Sequence, residues 1–216
     1  MRAGKFEFTV AVPKDINYEE GSGLINIYAI SSDHNTSAHG SSESFSVNGS
    51  ELAENDSIGP SIYCYLNSPS FTNGGKVNTT QFFVATINDQ DGINASGSGI
   101  GHDMQLDIDG DMGKTYSLND NFSYDCGTYT SGSTYYSLPE LEPGEHRLLF
   151  RAWDVLNNAS TAELTFTVVK GLRPTLFNVS CTDNPATTST TFIISHDRTG
   201  STVDVDIDIF DMSGRQ

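Results

Sequence analysis

The sequence predicts an all-β chain of Ig-like β-sandwich modules, one complete central domain with partial flanking β modules. Three observations carry this expectation. Helical periodicity is hard to find along the 216 residues. Short alternating apolar and polar runs recur instead, separated by clusters of Gly, Asn, Asp, Ser and Pro. Their spacing suits a sandwich of about seven strands in roughly 110 residues.

In chain order, the alternating run Lys5-Phe6-Glu7-Phe8-Thr9-Val10-Ala11-Val12 predicts a strand over 5–12. A second is expected over 23–30, after a turn-rich segment through Pro13 and Gly21. Residues 31–40 read as a polar loop, and Phe45 and Val47 mark a third short strand before Asn48-Gly49. Residues 1–58 are therefore expected to be the last strands of a module begun upstream. Pro60 opens a run in which Ile62, Cys64 and Leu66 point one way while Tyr63 and Tyr65 point the other. Further strands are expected over 81–87, 104–108, 134–138, 146–153 and 163–169, which places a complete sandwich at 59–170. After Gly171 and Pro174, strands are expected over 176–179, 190–195 and 202–210, a truncated module over 171–216. In the last run Val203, Val205, Ile207 and Ile209 alternate with Asp204, Asp206 and Asp208, one apolar and one acidic face.

Composition narrows the partners. With 11 Lys and Arg against 28 Asp and Glu, the net charge is −17 and the pI near 4.3. Such a chain repels phosphate backbones and anionic lipid, so no nucleic-acid partner is expected. No apolar run approaches the roughly 18 to 20 residues that cross a bilayer, and no signal-peptide pattern is present, so no membrane insertion is expected. Both ends read as boundaries of a fragment, because the chain starts at the edge of a strand and stops on a turn.

The candidate chemistry is sparse. Cys64, Cys126 and Cys181 form no C-x-x-C pair, which argues against structural zinc and a redox motif. Cys64 and Cys126 either pair across the sandwich or serve, with Cys181, as small buried hydrophobes. The run Asp107-Ile108-Asp109-Gly110-Asp111 resembles a calcium loop, but Met112 and Leu118 stand where a helix-loop-helix site needs Gly and Glu. An Asp-Gly hairpin turn explains the same residues. Clustered oxygens in Asn88-Asp89-Gln90-Asp91-Gly92 offer a second calcium candidate beside an Asx-capped turn. Asp89, Asp91 and Asp109 are thus the metal candidates, with no metal or other cofactor expected in the end.

Gly97, Gly99 and Gly101 lack the spacing and the strand-to-helix context of a dinucleotide loop. A His102–Cys126 peptidase pair lacks the cationic neighbours that activate a thiol, and Ser195-His196-Asp197 is a tripeptide where a triad converges from separate segments. No catalytic residue is assigned. Phe122, Tyr124, Tyr129, Tyr135 and Tyr136 lie in a Ser/Gly/Asn-rich stretch whose composition suits a glycan- or protein-contacting loop as well as core packing.

The stretch from Gly144 through Ala152-Trp153-Asp154 to Asn158 resembles the closing strands of bacterial Ig-like modules. It joins Gly59-Pro60, Tyr65-Leu66-Asn67, the run from Asp91 to His102, and Leu118-Asn119-Asp120. In that order the motifs resemble the region after the peptidase domain in PorU-like sortases of the type IX secretion system, relatives of the gingipain (C25) cysteine peptidases. Asn184-Pro185-Ala186, Thr191-Phe192, His196 and the run from Ile209 to Arg215 are similar to the sorting modules of type IX cargo. The resemblance covers most of residues 5–216. It implies an exported cell-surface parent that cleaves sorting signals, held at the outer membrane by a β-barrel partner. This chain is then expected to be a non-catalytic region that positions the peptidase or docks the barrel partner and secreted cargo. The alternative is a glycan-binding or adhesive module.

Overall fold

The structure is a computed structural model, and it describes residues 7–14, 21–31, 33–47, 56–97, 100–183, 185–197, 204–208 and 210. The strands are β1 (Ile25–Ile30), β2 (Ser37–Ser42), β3 (Ser61–Leu66), β4 (Lys76–Val77), β5 (Phe82–Asn88), β6 (Gln105–Ile108), β7 (Thr115–Ser117) and β8 (Ser123–Tyr124). They continue with β9 (Ser131–Ser137), β10 (Gly144–Trp153), β11 (Ala159–Val168), β12 (Leu176–Cys181) and β13 (Phe192–His196). Among the described residues the only helical pieces are two three-residue 3-10 turns, and no helix is long and apolar enough to cross a membrane.

Two sheets form the sandwich, one ordered β3-β5-β9-β8 and the other β4-β11-β10-β6-β7. Period-two alternation decides which residues meet between them. Leu66, Phe83, Ala85 and Ile87 face inward from the first sheet, and Leu106, Ile108, Leu148, Phe150, Leu164 and Phe166 from the second. The Phe83 and Phe150 rings meet 5.5 Å apart. Met104, Leu118 and Ile93 close the core from the connections. Each of these Leu, Ile, Phe and Met side chains contributes about 1.5 to 3 kcal/mol by leaving water. β10 and β11 pair over ten residues, and β11 is flanked on its other side by β4 in parallel through Thr167↔Lys76 and Val168↔Val77. Gly132 of β9 carries no Cβ because one would fall 2.5 Å from the Ser123 carbonyl oxygen across the β8 pairing.

The strands expected within 59–170 are present, with ends displaced by a few residues, and β4, β7 and β8 are additional two- or three-residue strands. Outside that span the sequence reading needs four corrections. Residues 37–40, within the polar loop expected over 31–40, form β2 together with 41–42, and β2 pairs with β1 from Ile25↔Ser42 to Ile30↔Ser37. Its Ser-Ala-His-Gly-Ser-Ser side chains are all exposed, so no apolar alternation marks it, and backbone hydrogen bonds alone make the strand. Of the strand expected over 5–12, residues 5 and 6 fall outside the described residues and 7–12 carry no strand: Phe8, Val10 and Val12 stay exposed, and Lys14 N–H donates to the Val155 carbonyl (2.8 Å) just beyond them. Phe45 and Val47 also lie outside any strand, a single bond from Gly23 N–H to the Phe45 carbonyl (2.8 Å) standing in for a ladder. Asn48-Gly49 falls outside the described residues. In the acidic run, residues 204–208 and 210 are described and form no strand, with Val205 and Ile207 both 51% exposed. Alternation creates two faces, but a strand also needs a neighbour to pair with.

Candidate functional surfaces

The calcium candidates separate. Asp89 lies just after β5, its backbone N–H bonded to the Thr130 carbonyl (2.8 Å). Its carboxylate accepts from the N–H groups of Asp91 (2.8 Å) and Gly92 (3.0 Å), the Asx-type turn that the sequence offers as the alternative to a metal. Burial pushes the Asp89 carboxyl above its usual range. The bonds from Asp91 and Gly92 oppose this, and the charges of Asp154 and Asp91 add to it. Asp89 and Asp91 line an open groove of about 890 Å³ with Asp56, Ile58, Ser61 and Thr130. Asp109 instead borders a groove of about 460 Å³ beside His146, Arg147 and Thr165. Among the described residues, no three His, Cys, Asp or Glu side chains stand close enough to hold a metal ion.

Asp109 closes a turn after β6, where it and Gly110 adopt left-handed φ of +59° and +71°. That pair of angles is why Asp-Gly stands there. The Asp109 carboxylate bridges to β10, accepting from Arg147 N–H (2.9 Å) and meeting His146 Nδ1 at 2.7 Å. The other ring nitrogen, His146 Nε2, sits 2.7 Å from the Glu142 carbonyl, and the ring stacks on Phe166. Both nitrogens therefore face acceptors, and His146 clamps one end of the five-stranded sheet. Burial alone would raise the Asp109 carboxyl. The bonds from Arg147 and His146, with the nearby charges of His146 and Lys114, outweigh it and hold the group below its usual range. A carboxyl depressed in the folded state adds stability that is present above its unfolded value, near 3.9, and is lost as pH falls through the lower folded value. Asp109→Asn, which tolerates the left-handed turn, is thus expected to flatten the acid limb of a melting-temperature profile below about pH 4. An acid limb identical to wild type would remove Asp109 from that role.

The other candidates are dispersed. His102 packs 4.2 Å from the Trp153 ring on the outside of the five-stranded sheet, whereas Cys126 is exposed in the turn between β8 and β9 of the other sheet. Ser195 and His196 end β13, and Asp197 caps it by accepting from Thr175 N–H (2.9 Å). The Asn78 side-chain amide donates to the Asp197 carbonyl (2.9 Å), tying this hairpin to the sandwich. In the glycine run, Gly97 and Gly101 have left-handed φ, while residues 98 and 99 lie outside the described set.

All three cysteines are free thiols. Cys64 packs against the core, where burial pushes its thiol up to about 12. Cys126 is exposed and both Cys64 and Cys181 are half-buried, so of the three expected as small buried hydrophobes Cys64, packed on the core, comes nearest. Brief iodoacetamide treatment at pH 8 followed by mass spectrometry is expected to label Cys126 at least a hundredfold faster than Cys64. Comparable native rates would place Cys64 in a more open setting than its packing implies.

The aromatic stretch over 122–136 packs inward more than it faces out. Tyr124 OH donates to the Ile93 carbonyl (2.7 Å), with its ring edge-on to Phe122, and Tyr136 packs on Tyr116 at 4.8 Å. Tyr129 lies against Gly92. Tyr135 alone of this group is carried on β9 to the outer face of the four-stranded sheet, where it joins Tyr63, Tyr65 and Phe82. The sequence reading, centred on a loop, missed this assembly. The signal was the alternation of Tyr63 and Tyr65 against Ile62, Cys64 and Leu66. A second unforeseen cluster lies on the opposite sheet, where the Arg151 guanidinium stands 5.7 Å over Trp153 and donates to Gln105 Oε1 (2.9 Å).

These features define an all-β sandwich flanked by two β-hairpins, β1–β2 and β12–β13. No family model and no curated protein matches the chain. Among solved structures, it is similar to dimeric latent PorU from Porphyromonas gingivalis, with 38% identity over 88% of this chain and a TM-score of 0.57. The chain is a PorU-like region, and it spans 18% of that PorU chain. An endo-β-1,4-mannanase from Thermotoga petrophila aligns over 51% of this chain and 20% of its own, at 11% identity and a TM-score of 0.33, a likeness too slight to bear on function.

Proposed function

We propose that this chain is a non-catalytic accessory region of a cell-surface type IX secretion sortase, in which it positions the peptidase or docks outer-membrane partners and cargo. The observation that carries the reading is the 38% identity to latent PorU across 88% of the chain. The geometry agrees in kind. His102 packs on Trp153 at the outside of the five-stranded sheet, whereas Cys126 lies in a turn of the four-stranded sheet. The β1–β2 hairpin leaves Tyr28 68% and Ile30 49% exposed, and the β12–β13 hairpin exposes Leu176, Val179 and Ile193. A two-stranded hairpin is marginal by itself and is stabilised by packing on a neighbour. On this reading 59–170 is the complete Ig-like sandwich, and 1–58 and 171–216 are β segments that pack against adjacent modules.

The test is a pull-down from outer-membrane extract of the native host, with the intact chain and a Tyr28→Asp, Ile30→Asp variant as baits. Capture by the intact chain of an outer-membrane β-barrel protein or a cysteine peptidase, weakened at least fivefold in the variant, is the expected result. Capture of neither removes the docking role.

A further inference from the structure

We propose that the outer face of the four-stranded sheet, built on Tyr63, Tyr65, Phe82 and Tyr135, is a binding platform for a neutral polysaccharide. Alternation turns these rings outward, and strand register arranges them in rows. Tyr65, Val84 and Tyr135 stand side by side, with Tyr63, Thr86 and Ser133 in the next row. Tyr63 and Tyr135 are 53% and 51% exposed. Tyr63 and Tyr65 lie 5.8 Å apart at 43°, and Phe82 and Tyr135 lie 5.6 Å apart at 31°, so the paired rings are tilted against each other rather than stacked face to face. Tyr63 OH donates to the Pro69 carbonyl (2.8 Å), which holds its ring in place before any ligand arrives. β3 and β9 are separated by β5, two strand spacings or about 10 Å, the span of a disaccharide.

Charge selects the occupant. The chain carries −17, with 28 acidic residues, yet no outward position on β3, β5 or β9 holds Asp, Glu, Lys, Arg or His. Burial, and the nearby Tyr63, hold the Tyr65 phenol above its usual range. An uncharged face complements an uncharged ligand. It offers no ion pair to a charged protein, and the net charge repels an anionic polymer. Val84 is the sole aliphatic side chain on the face, and Thr86 and Ser133 place hydroxyls in the row beside Tyr63, that of Thr86 donating to the Tyr63 carbonyl (3.3 Å). Sugar rings stack their C–H faces on aromatics and bond their hydroxyls to such groups, so this mixture fits a saccharide better than an apolar protein patch.

The experiment is affinity electrophoresis of the full chain through gels holding soluble α-mannan, mixed-linkage β-glucan or dextran, with alginate as the anionic comparison. Retardation in at least one neutral gel and none in alginate is expected, with apparent affinity at least tenfold weaker for Tyr63→Ala and for Tyr135→Ala. Tyr28→Ala, outside the face, should leave retardation unchanged, and thermal midpoints show whether each variant is folded. Tyr135→Ser is the substitute should Tyr135→Ala fail to fold. No retardation in any neutral gel, equal retardation of folded variants, or retardation in alginate alone overturns the proposal. So does a dimer in sedimentation that Tyr63→Ala dissolves, which would assign the face to a second copy. The pull-down result does not depend on this one.

Discussion

Phe150→Ala is expected to destabilise the protein by about 3 to 5 kcal/mol, more than any other single substitution considered. Phe150 is fully buried, meets Phe83 across the sandwich, and sits on β10, which pairs with both β11 and β6. Truncating it removes ring-to-ring contact between the sheets and opens a cavity that strands fixed on both sides cannot collapse into. Urea unfolding followed by tryptophan fluorescence reports the loss directly, because Trp153 lies on the same strand. A cost below about 1 kcal/mol would mean that the two sheets do not share the core described above. Phe150→Leu, which fills part of the cavity, should recover much of the loss.

Asp154→Ala carries the second-largest expected effect, about 2 to 4 kcal/mol, from polar groups left unpaired. Asp154 follows β10 and is fully buried. One carboxylate oxygen accepts from the N–H groups of Leu156 (2.9 Å) and Asn158 (2.7 Å), and the other accepts from the Asn158 side-chain amide (2.7 Å). Asn157 takes a left-handed φ of +72° within this turn. The carboxylate therefore shapes the connection that sets β10 and β11 in register. Alanine orphans those donors, and asparagine at 154 restores an acceptor without the charge, so Asp154→Asn should cost less. Equal stability of the alanine and wild-type proteins in a urea titration would sink this account.

The sandwich was legible from sequence because its strands announce themselves twice, by alternation and by the turn chemistry between them. Val203 to Ile209 alternates as cleanly as β5 does, yet its described residues form no strand. β2, with no alternation at all, is one. The difference is the partner: β5 lies between β3 and β9, whereas the described residues of the acidic run have no strand paired with them. Pairing is a long-range fact that a local pattern does not contain. The candidate surfaces follow the same division. The Asp-Gly turn at 109–110 could be foreseen from its two residues, but the union of Asp109 with His146, 37 residues later, required the β6–β10 pairing. Tyr63 and Tyr135, 72 positions apart in the chain, likewise share a face only through β5 between them.

The parallel contact of β4 with the end of β11 gives the sandwich a mechanical character. Tension transmitted through the segment after Val168 pulls β11 along its own length, against β10 on one side and β4 on the other. Hydrogen bonds on both flanks then carry the load together, sliding rather than opening one at a time. Under such a load the two-stranded hairpins, marginal by themselves, would yield before the sandwich between them, which would act as the rigid link.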